Sequence, residues 1–334
     1  MGTFKKLTLV SMSLLSLVIT GCQKTENTQT QTEKKATKEP NTAVKTLNMG
    51  FQKSALNLLV ARDQNFLQQQ FPNTKIEWKE FPAGPQMLEA LAIGAVDFGY
   101  VGNMPPIFAQ AANKDLNYIA YENYPQNSLA LVIKDNSSIQ NIESLKGKRI
   151  AVQKGSSAHE LLAKILQKAN LTWNDIEPIW LPPADARAAF DKGSVDAWVI
   201  WDPYLAAVEF EGHAKPLIDG QAFSPTYSYY IANPKFVQAH PDAPEKVIKS
   251  VNEADQWIVN NLDVAIEIYS KNTGLKPIIA QKSIDRRLKP SPVKTLTPEV
   301  IESQQKIADL FHELKLIPTH IDIKKAVWLP NSAQ

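Results

Sequence analysis

Gln153, Lys154, Gly155, Ser156 and Ser157 stand where an apolar extended run, Ile150-Ala151-Val152, gives way to a segment with helical spacing. Such residues at a strand-to-helix junction suit two chemistries. One is anion binding: Gly155 lets the backbone come close, the first N–H groups of the helix donate, and the serine hydroxyls add donors. The other is nucleophilic attack by a serine. A triad of Ser156 or Ser157 with His159 and Asp202 can be drawn. However, a nucleophile and a base two or three residues apart in one helical turn do not converge on one atom. The chain also has no Gly-x-Ser-x-Gly elbow, no His/Cys/Asp cluster with metal-ligand spacing and no glycine-rich dinucleotide or phosphate loop. The expectation is a binding protein, without metal or cofactor.

The elements that must position this junction appear when the chain is compared with itself. "LNMGFQKSALNLLVA" (Leu47 to Ala61) has the layout of "IAVQKGSSAHELLA" (Ile150 to Ala163). Each is a short extended run, then Gln-Lys and a serine, then apolar residues three and four apart. "FPAGPQMLEALAIGAVDFGYVGNMPP" (Phe81 to Pro106) likewise matches "LPPADARAAFDKGSVDAWVIWDPY" (Leu181 to Tyr204). Gln52 and Gln153 are 101 positions apart, and Gly94 and Gly193 are 99 apart. Nine residues after each of these glycines stand Asn103 and Asp202. Both are expected to cap helices that open with Met104-Pro105-Pro106 and Pro203. Asp97 and Asp196 are expected to close turns before strands.

Each copy therefore predicts parallel strands joined by crossover helices, with a site off the carboxyl ends of the strands. Two such lobes would bring four helix N-termini, near Ser54, Met104, Ser157 and Pro203, to one cleft. Each N-terminus carries about half a positive charge. Trp198 and Trp201 face opposite sides of their strand, so one belongs to the core and the other to the cleft.

The quoted motifs, with "PPIFAQAA", "PADARAAF", "ADLFHELKLIP" and the Trp328 to Pro330 ending, resemble the aliphatic sulfonate-binding proteins, solute receptors of bacterial ABC importers. The resemblance runs in register from about Leu47 to about Pro330. It implies a two-lobed periplasmic-binding fold of type II, each lobe a sheet flanked by helices. The first lobe would be 44–133 with 232–334 and the second 134–231. Leu129 to Ile133 and Ser228 to Ala232 would carry the crossovers. Pro298 to Leu314 would be a helix burying Ile301, Ile307, Leu310 and Phe311.

The resemblance also implies the ligand contacts: Gln52, Lys53 and Ser54; Gly102 and Asn103; Ser156, Ser157 and His159; Trp201 and Asp202; and Tyr229. The sulfonate would lie against N–H groups and hydroxyls at Ser54, Asn103, Ser156 and Ser157, with Trp201 and Tyr229 walling the organic tail. A sulfonate is always ionised and only accepts hydrogen bonds, so it needs donors and no carboxylate. The family pattern leads one to expect aspartate where this chain has Asn103, which can donate through its amide. Arg287 either approaches the cleft or pairs with Asp285.

The implied function is capture of an aliphatic sulfonate by lobe closure and delivery to an ABC permease for sulfur acquisition. The implied receptor is monomeric and sits in the periplasm or cell envelope. Taurine, nitrate, a thiamine precursor or another small anion remain alternatives on the same fold. An anion-processing hydrolase is the rival class. Taurine would make Asp202 or Glu122 an amine partner.

The start of the chain reads as targeting. Lys5 and Lys6, the apolar run Leu7 to Ile19 and then Ile19-Thr20-Gly21-Cys22 form a lipoprotein-type signal ending at the single cysteine of the chain. Cys22 is the expected lipidation point and membrane link. Residues 23–43 offer almost nothing to bury and read as a flexible tether. About 290 residues remain, enough for one large or two moderate α/β domains. Without Lys5 and Lys6, 34 basic residues balance 34 acidic ones. That balance argues against a nucleic-acid partner.

Overall fold

A computed structural model describes residues 44–330 of the 334. The signal, lipidation and tether readings of residues 1–43 lie outside the described residues. The first strands and helices follow the pattern set by the sequence. These are β1 (Thr46–Phe51), α1 (Leu56–Asp63), α2 (Phe66–Gln70), β2 (Lys75–Glu80), α3 (Gly84–Ala92), β3 (Phe98–Val101), α4 (Met104–Ala111) and β4 (Asn117–Asn123). The second half repeats them: β5 (Leu129–Lys134), β6 (Arg149–Val152), α5 (Ser157–Lys168), β7 (Glu177–Trp180), α6 (Pro183–Asp191), β8 (Ala197–Trp201), α7 (Tyr204–Glu211) and β9 (Ala214–Asp219). The chain then runs through β10 (Tyr227–Ala232), α8 (Pro234–Ala239), α9 (Ala243–Asn260), α10 (Leu262–Thr273), α11 (Pro277–Arg286) and α12 (Pro298–Glu313).

The strands form two five-stranded sheets, ordered β2-β1-β3-β10-β4 and β7-β6-β8-β5-β9. The two orders superimpose strand for strand, as the internal repeat requires. In each sheet three strands are parallel. The fourth, β10 or β5, is antiparallel to both neighbours; β10 returns to the first sheet after the chain has passed through the second, and β5 enters the second sheet ahead of β6. This corrects the expected lobe limits. Leu129 to Ile133 belong to the second sheet, and Tyr227 to Ala232 to the first. The chain therefore changes lobe in the segments 124–128 and 220–226. Both apolar runs read correctly as strands, but strand pairing is non-local and no residue in either run announces its partner.

Matched carboxylates tie the two copies together. Asp97 accepts from the Asn48 N–H at 2.7 Å and from its side-chain amide at 2.9 Å. Asp196 accepts from the Arg149 N–H at 2.8 Å and from its guanidinium. Each pins the residue before β3 or β8 to the neighbouring parallel strand.

The core of the first lobe lies on both faces of its sheet. One face packs α1, α9 and α10 through residues such as Leu59, Val251 and Ile258. The other packs α3, α4 and α12 through Met87, Ile107 and Phe311. The second lobe encloses Trp198 and Phe190, whose rings are 6.1 Å apart. On α12 the buried face is Val300, Gln304, Ile307 and Phe311, while Ile301 and Leu310 are only half-buried at its margins. The polar Gln304 belongs there because its amide donates to the Asn103 carbonyl at 2.6 Å. Further along, α11 reaches back to the second lobe. Its Ile279 is buried against Ala206 and Ala207 of α7.

Replacing Asp97 by alanine would strand the Asn48 donors in a mostly buried site. The expected cost is about 1–3 kcal/mol of unfolding free energy, measured by urea denaturation. A midpoint equal to that of the wild type would contradict this assignment.

Candidate ligand-binding cleft

Four helix starts meet at one cavity. It is lined by Gln52 and Ser54 before α1, Gly102 and Pro105 at the start of α4, Ser156 and Ser157 at the start of α5, and Trp201 just before α7. Gly84, Tyr100, Tyr124 and Ser228 complete the wall of this narrow space between the two sheets. The α5 corner is built by backbone geometry. Gly155 has φ +74°, the left-handed region where a side chain would be strained. Its N–H donates to His159 Nδ1 at 3.2 Å. The Ser156 hydroxyl donates to the Gln153 carbonyl at 2.7 Å. The backbone acceptor bonds of the helix begin at the His159 N–H, which leaves the N–H groups of Ser157 and Ala158 as first-turn donors.

The two lobes touch at this corner. The Ser157 hydroxyl donates to Asn103 Oδ1 at 2.6 Å, and Asn103 Nδ2 donates to Glu160 Oε2 at 2.7 Å. Glu160 is held in turn by Lys164. The Asn103 amide is thus committed across the lobe boundary. It occupies the N-cap position of α4, but its side chain makes no cap bond and does not line the cavity. Gly102 makes room for this contact, since a Cβ there would lie 2.1 Å from Ser157 Oγ.

Several expected contacts lie elsewhere, each for a physical reason. Lys53 turns away and donates to the Thr273 carbonyl at 3.0 Å, at the end of α10. His159 is packed among Phe108, Trp173, Trp180 and Phe311, with ring centroids 4.9–5.7 Å away. Burial, with Lys154 nearby, lowers its pKa to about 3, so it stays neutral. It fixes the Gly155 loop from behind. Tyr229 is fully buried against Tyr118 at 5.1 Å, on the far face of β10. Strand alternation gives the cavity Ser228 instead.

Asp202 does cap α7, accepting from the Ala206 N–H at 2.9 Å, and it pairs with both oxygens to Arg286 at 3.0 and 3.2 Å. Burial raises its carboxyl to about 6, against the pull of Arg286 and the Ala206 N–H. It faces a second chamber, not the first. Arg287 pairs with Asp255 at 2.8 Å and with Asn57 at 2.7 Å, not with Asp285, and it lines that same second chamber.

Tyr100, Tyr124 and Ser228 were missed. Alternation along β3 and β10 holds the signal for Tyr100 and Ser228, but its phase relative to the cleft depends on pairings such as Tyr230 with Tyr100.

The cavity gathers first-turn N–H groups, hydroxyls and aromatic rings from both lobes. The family model described as NMT1/THI5 like matches residues 52–265. The chain belongs to the NMT1/THI5-like family. It is similar to the alkanesulfonate-binding protein of Xanthomonas axonopodis pv. citri, solved bound to MOPS. That likeness has 39% identity and a TM-score of 0.82 over 85% of this chain and 98% of that one. The periplasmic aliphatic sulphonate-binding protein of Escherichia coli is 40% identical, with a TM-score of 0.78 over 85% and 97% of the two chains. The taurine-binding periplasmic protein of Escherichia coli (strain K12) is 30% identical over 222 residues, covering 65% of this chain and 68% of that protein. These likenesses bear out the two-lobed α/β fold and the resemblance read from the motifs. Among the described residues, no helix is long and apolar enough to cross a membrane.

Two outcomes follow from the corner. Gly102→Ala forces the Ser157 hydroxyl off Asn103 or parts the lobes, at a cost of about 1–3 kcal/mol to the closed arrangement. Small-angle scattering should then give a larger radius of gyration, and an unchanged profile would speak against it. His159 titrates at about 3 when folded and near 6.5 when unfolded, so the unfolded chain holds the extra proton between these values. Stability should therefore fall as pH drops through that window, by about 1.4 kcal/mol per unit from this residue. The slope should flatten in His159→Gln, and an identical slope in the variant would show that His159 does not cause it.

Proposed function

We propose that this chain is a solute receptor that captures an aliphatic sulfonate between its lobes and delivers it to an ABC permease. The observation that carries this reading is the cavity where the first turn of α5, from one lobe, faces Gln52 and Ser54 of the other. A sulfonate offers three oxygens that only accept. The Ser157 and Ala158 N–H groups, the α5 dipole and the Ser54 hydroxyl offer donors. Donors from both lobes on one anion favour the closed form by differential binding. Trp201, Tyr100 and Tyr124 suit an organic tail, which sulfate and nitrate lack. The relatives at 39% and 40% identity are named for binding alkanesulfonates and aliphatic sulphonates, which supports the same ligand class and a role in binding rather than catalysis.

In this reading the receptor works as a monomer in the periplasm or cell envelope, held by lipid on Cys22, and passes its ligand to the membrane permease. Ligand-binding roles go to Gln52, Ser54, Gly102, Ser156, Ser157 and Trp201, with Tyr100, Tyr124 and Ser228 added. Asn103 and His159 position the donor corner.

Isothermal titration with ethanesulfonate, sulfate and nitrate tests the ligand class. The expected result is tight binding of the sulfonate and at least about tenfold weaker binding of the other two, a gap of about 1.4 kcal/mol. Tight nitrate binding beside a silent sulfonate would keep the cleft and overturn the ligand.

A further inference from the structure

The internal repeat sets Asn103 and Asp202 at matching places, nine residues after Gly94 and Gly193. Each reaches across the lobe boundary, but the partners differ in sign. Asp202, on the second lobe, meets the Arg286 guanidinium of α11 at 3.0 and 3.2 Å. Asn103, on the first lobe, meets the Glu160 carboxylate of α5 at 2.7 Å. The acid stands where a cation faces it, and the neutral amide stands where an acid faces it.

Glu160 has no need of this contact for its own sake. Lys164, one turn along the same helix, lies 2.5 Å from its other oxygen and would pair with it equally well in open water. Its place is also a costly one. It is only 2% exposed. A carboxylate in the first turn of α5 takes up part of the helix dipole that an anion at the same N-terminus would use. What Glu160 supplies is orientation. A carboxylate only accepts, so the Asn103 amide turns its NH2 to Glu160 and its oxygen to Ser157, whose hydroxyl donates to it at 2.6 Å. From the first lobe, the Tyr229 hydroxyl of β10 also faces this charge. Burial above all, then Tyr118, Tyr227 and the Glu160 charge, push that phenol upward.

We propose that Glu160 is a positioning residue for ligand capture, acting through Asn103: it lets the lobes close at the α5 corner only when the side chain at position 103 can donate a hydrogen bond. The inference rests on the capture-by-closure reading above. With the lobes apart, Glu160 keeps Lys164 and water. Closure takes it out of water, and the Asn103 NH2 replaces what is lost. The same step aims the Asn103 oxygen at Ser157 and so brings the first-turn N–H groups of α5 into the cavity. A carboxylate at position 103 would face the carboxylate of Glu160. Two acids in one buried contact do not both ionise, so closure would then have to wait for a proton.

The test compares the wild type, Asn103→Asp, and Asn103→Asp combined with Glu160→Gln, each titrated calorimetrically with ethanesulfonate at pH 8 and pH 5. The expected loss in Asn103→Asp at pH 8 is about tenfold or more relative to the wild type, shrinking at pH 5, where one shared proton allows the contact. Adding Glu160→Gln supplies a donor from the other side and should restore affinity to within about threefold of the wild type at both pH values. A variant that merely folds badly would not be mended by a second substitution. Wild-type affinity in Asn103→Asp at pH 8 would overturn the inference. So would a loss that Glu160→Gln leaves in place, since the new charge would then be acting on the ligand itself. If the wild type binds no ethanesulfonate, the sulfonate reading falls, and small-angle scattering without ligand still judges Glu160. A larger radius of gyration for Asn103→Asp at pH 8 that returns to the wild-type value at pH 5 upholds its role, and equal values at both pH overturn it.

Discussion

The donor corner of the cleft is built around a contact between lobes, the Ser157 hydroxyl on the Asn103 amide. That bond sets the start of α5 against the start of α4. Everything around it serves the approach. Gly102 leaves the space, Glu160 and Lys164 hold the far side of the amide, and Gln304 fixes its backbone. On the other lobe, Gly155 turns the chain and His159 braces the turn from an aromatic box. A polar contact of this size contributes only about 1 kcal/mol by itself. It can set geometry without locking the lobes, which suits a receptor that must also release its ligand.

Much of this was legible in the sequence because it was written twice. The two copies of the strand–Gln-Lys–helix unit gave the parallel strands and the four helix starts. They also gave the matched carboxylates Asp97 and Asp196, which in the structure hold Asn48 and Arg149. Local chemistry read well where it is local. Asp202 accepts from the Ala206 N–H as a cap should, and Trp198 and Trp201 divide between core and cleft. What could not be read was which distant group claims a side chain. Lys53 reaches a carbonyl 220 residues away, and Asn103 turns to Glu160 instead of its own helix. The runs that form β5 and β10 were each expected in the other's sheet for the same reason. Tyr229 was misjudged by one step of alternation, the smallest error a strand allows and one that reverses the face.

The electrostatics divide the cleft in two. The first chamber has N–H groups, hydroxyls and helix dipoles but no acidic side chain in its lining, which suits an anion that only accepts. The second gathers the carboxylates Glu122 and Asp202 behind Tyr100 and Tyr124. Helix α11 closes that chamber from the C-terminal segment, packing on α7 through Ile279 and pairing Arg286 with Asp202 and Glu209. A segment that belongs to the first lobe by sequence order thus carries charge partners for the second.

The central claim is that one anion bridges both lobes at the start of α5. A crystal structure of the chain with a short alkanesulfonate tests it most directly. The account predicts sulfonate oxygens within hydrogen-bond distance of the Ser157 and Ala158 N–H groups and, at the same time, of Gln52 or Ser54. A sulfonate bound to one lobe alone, or outside this cavity, would contradict it.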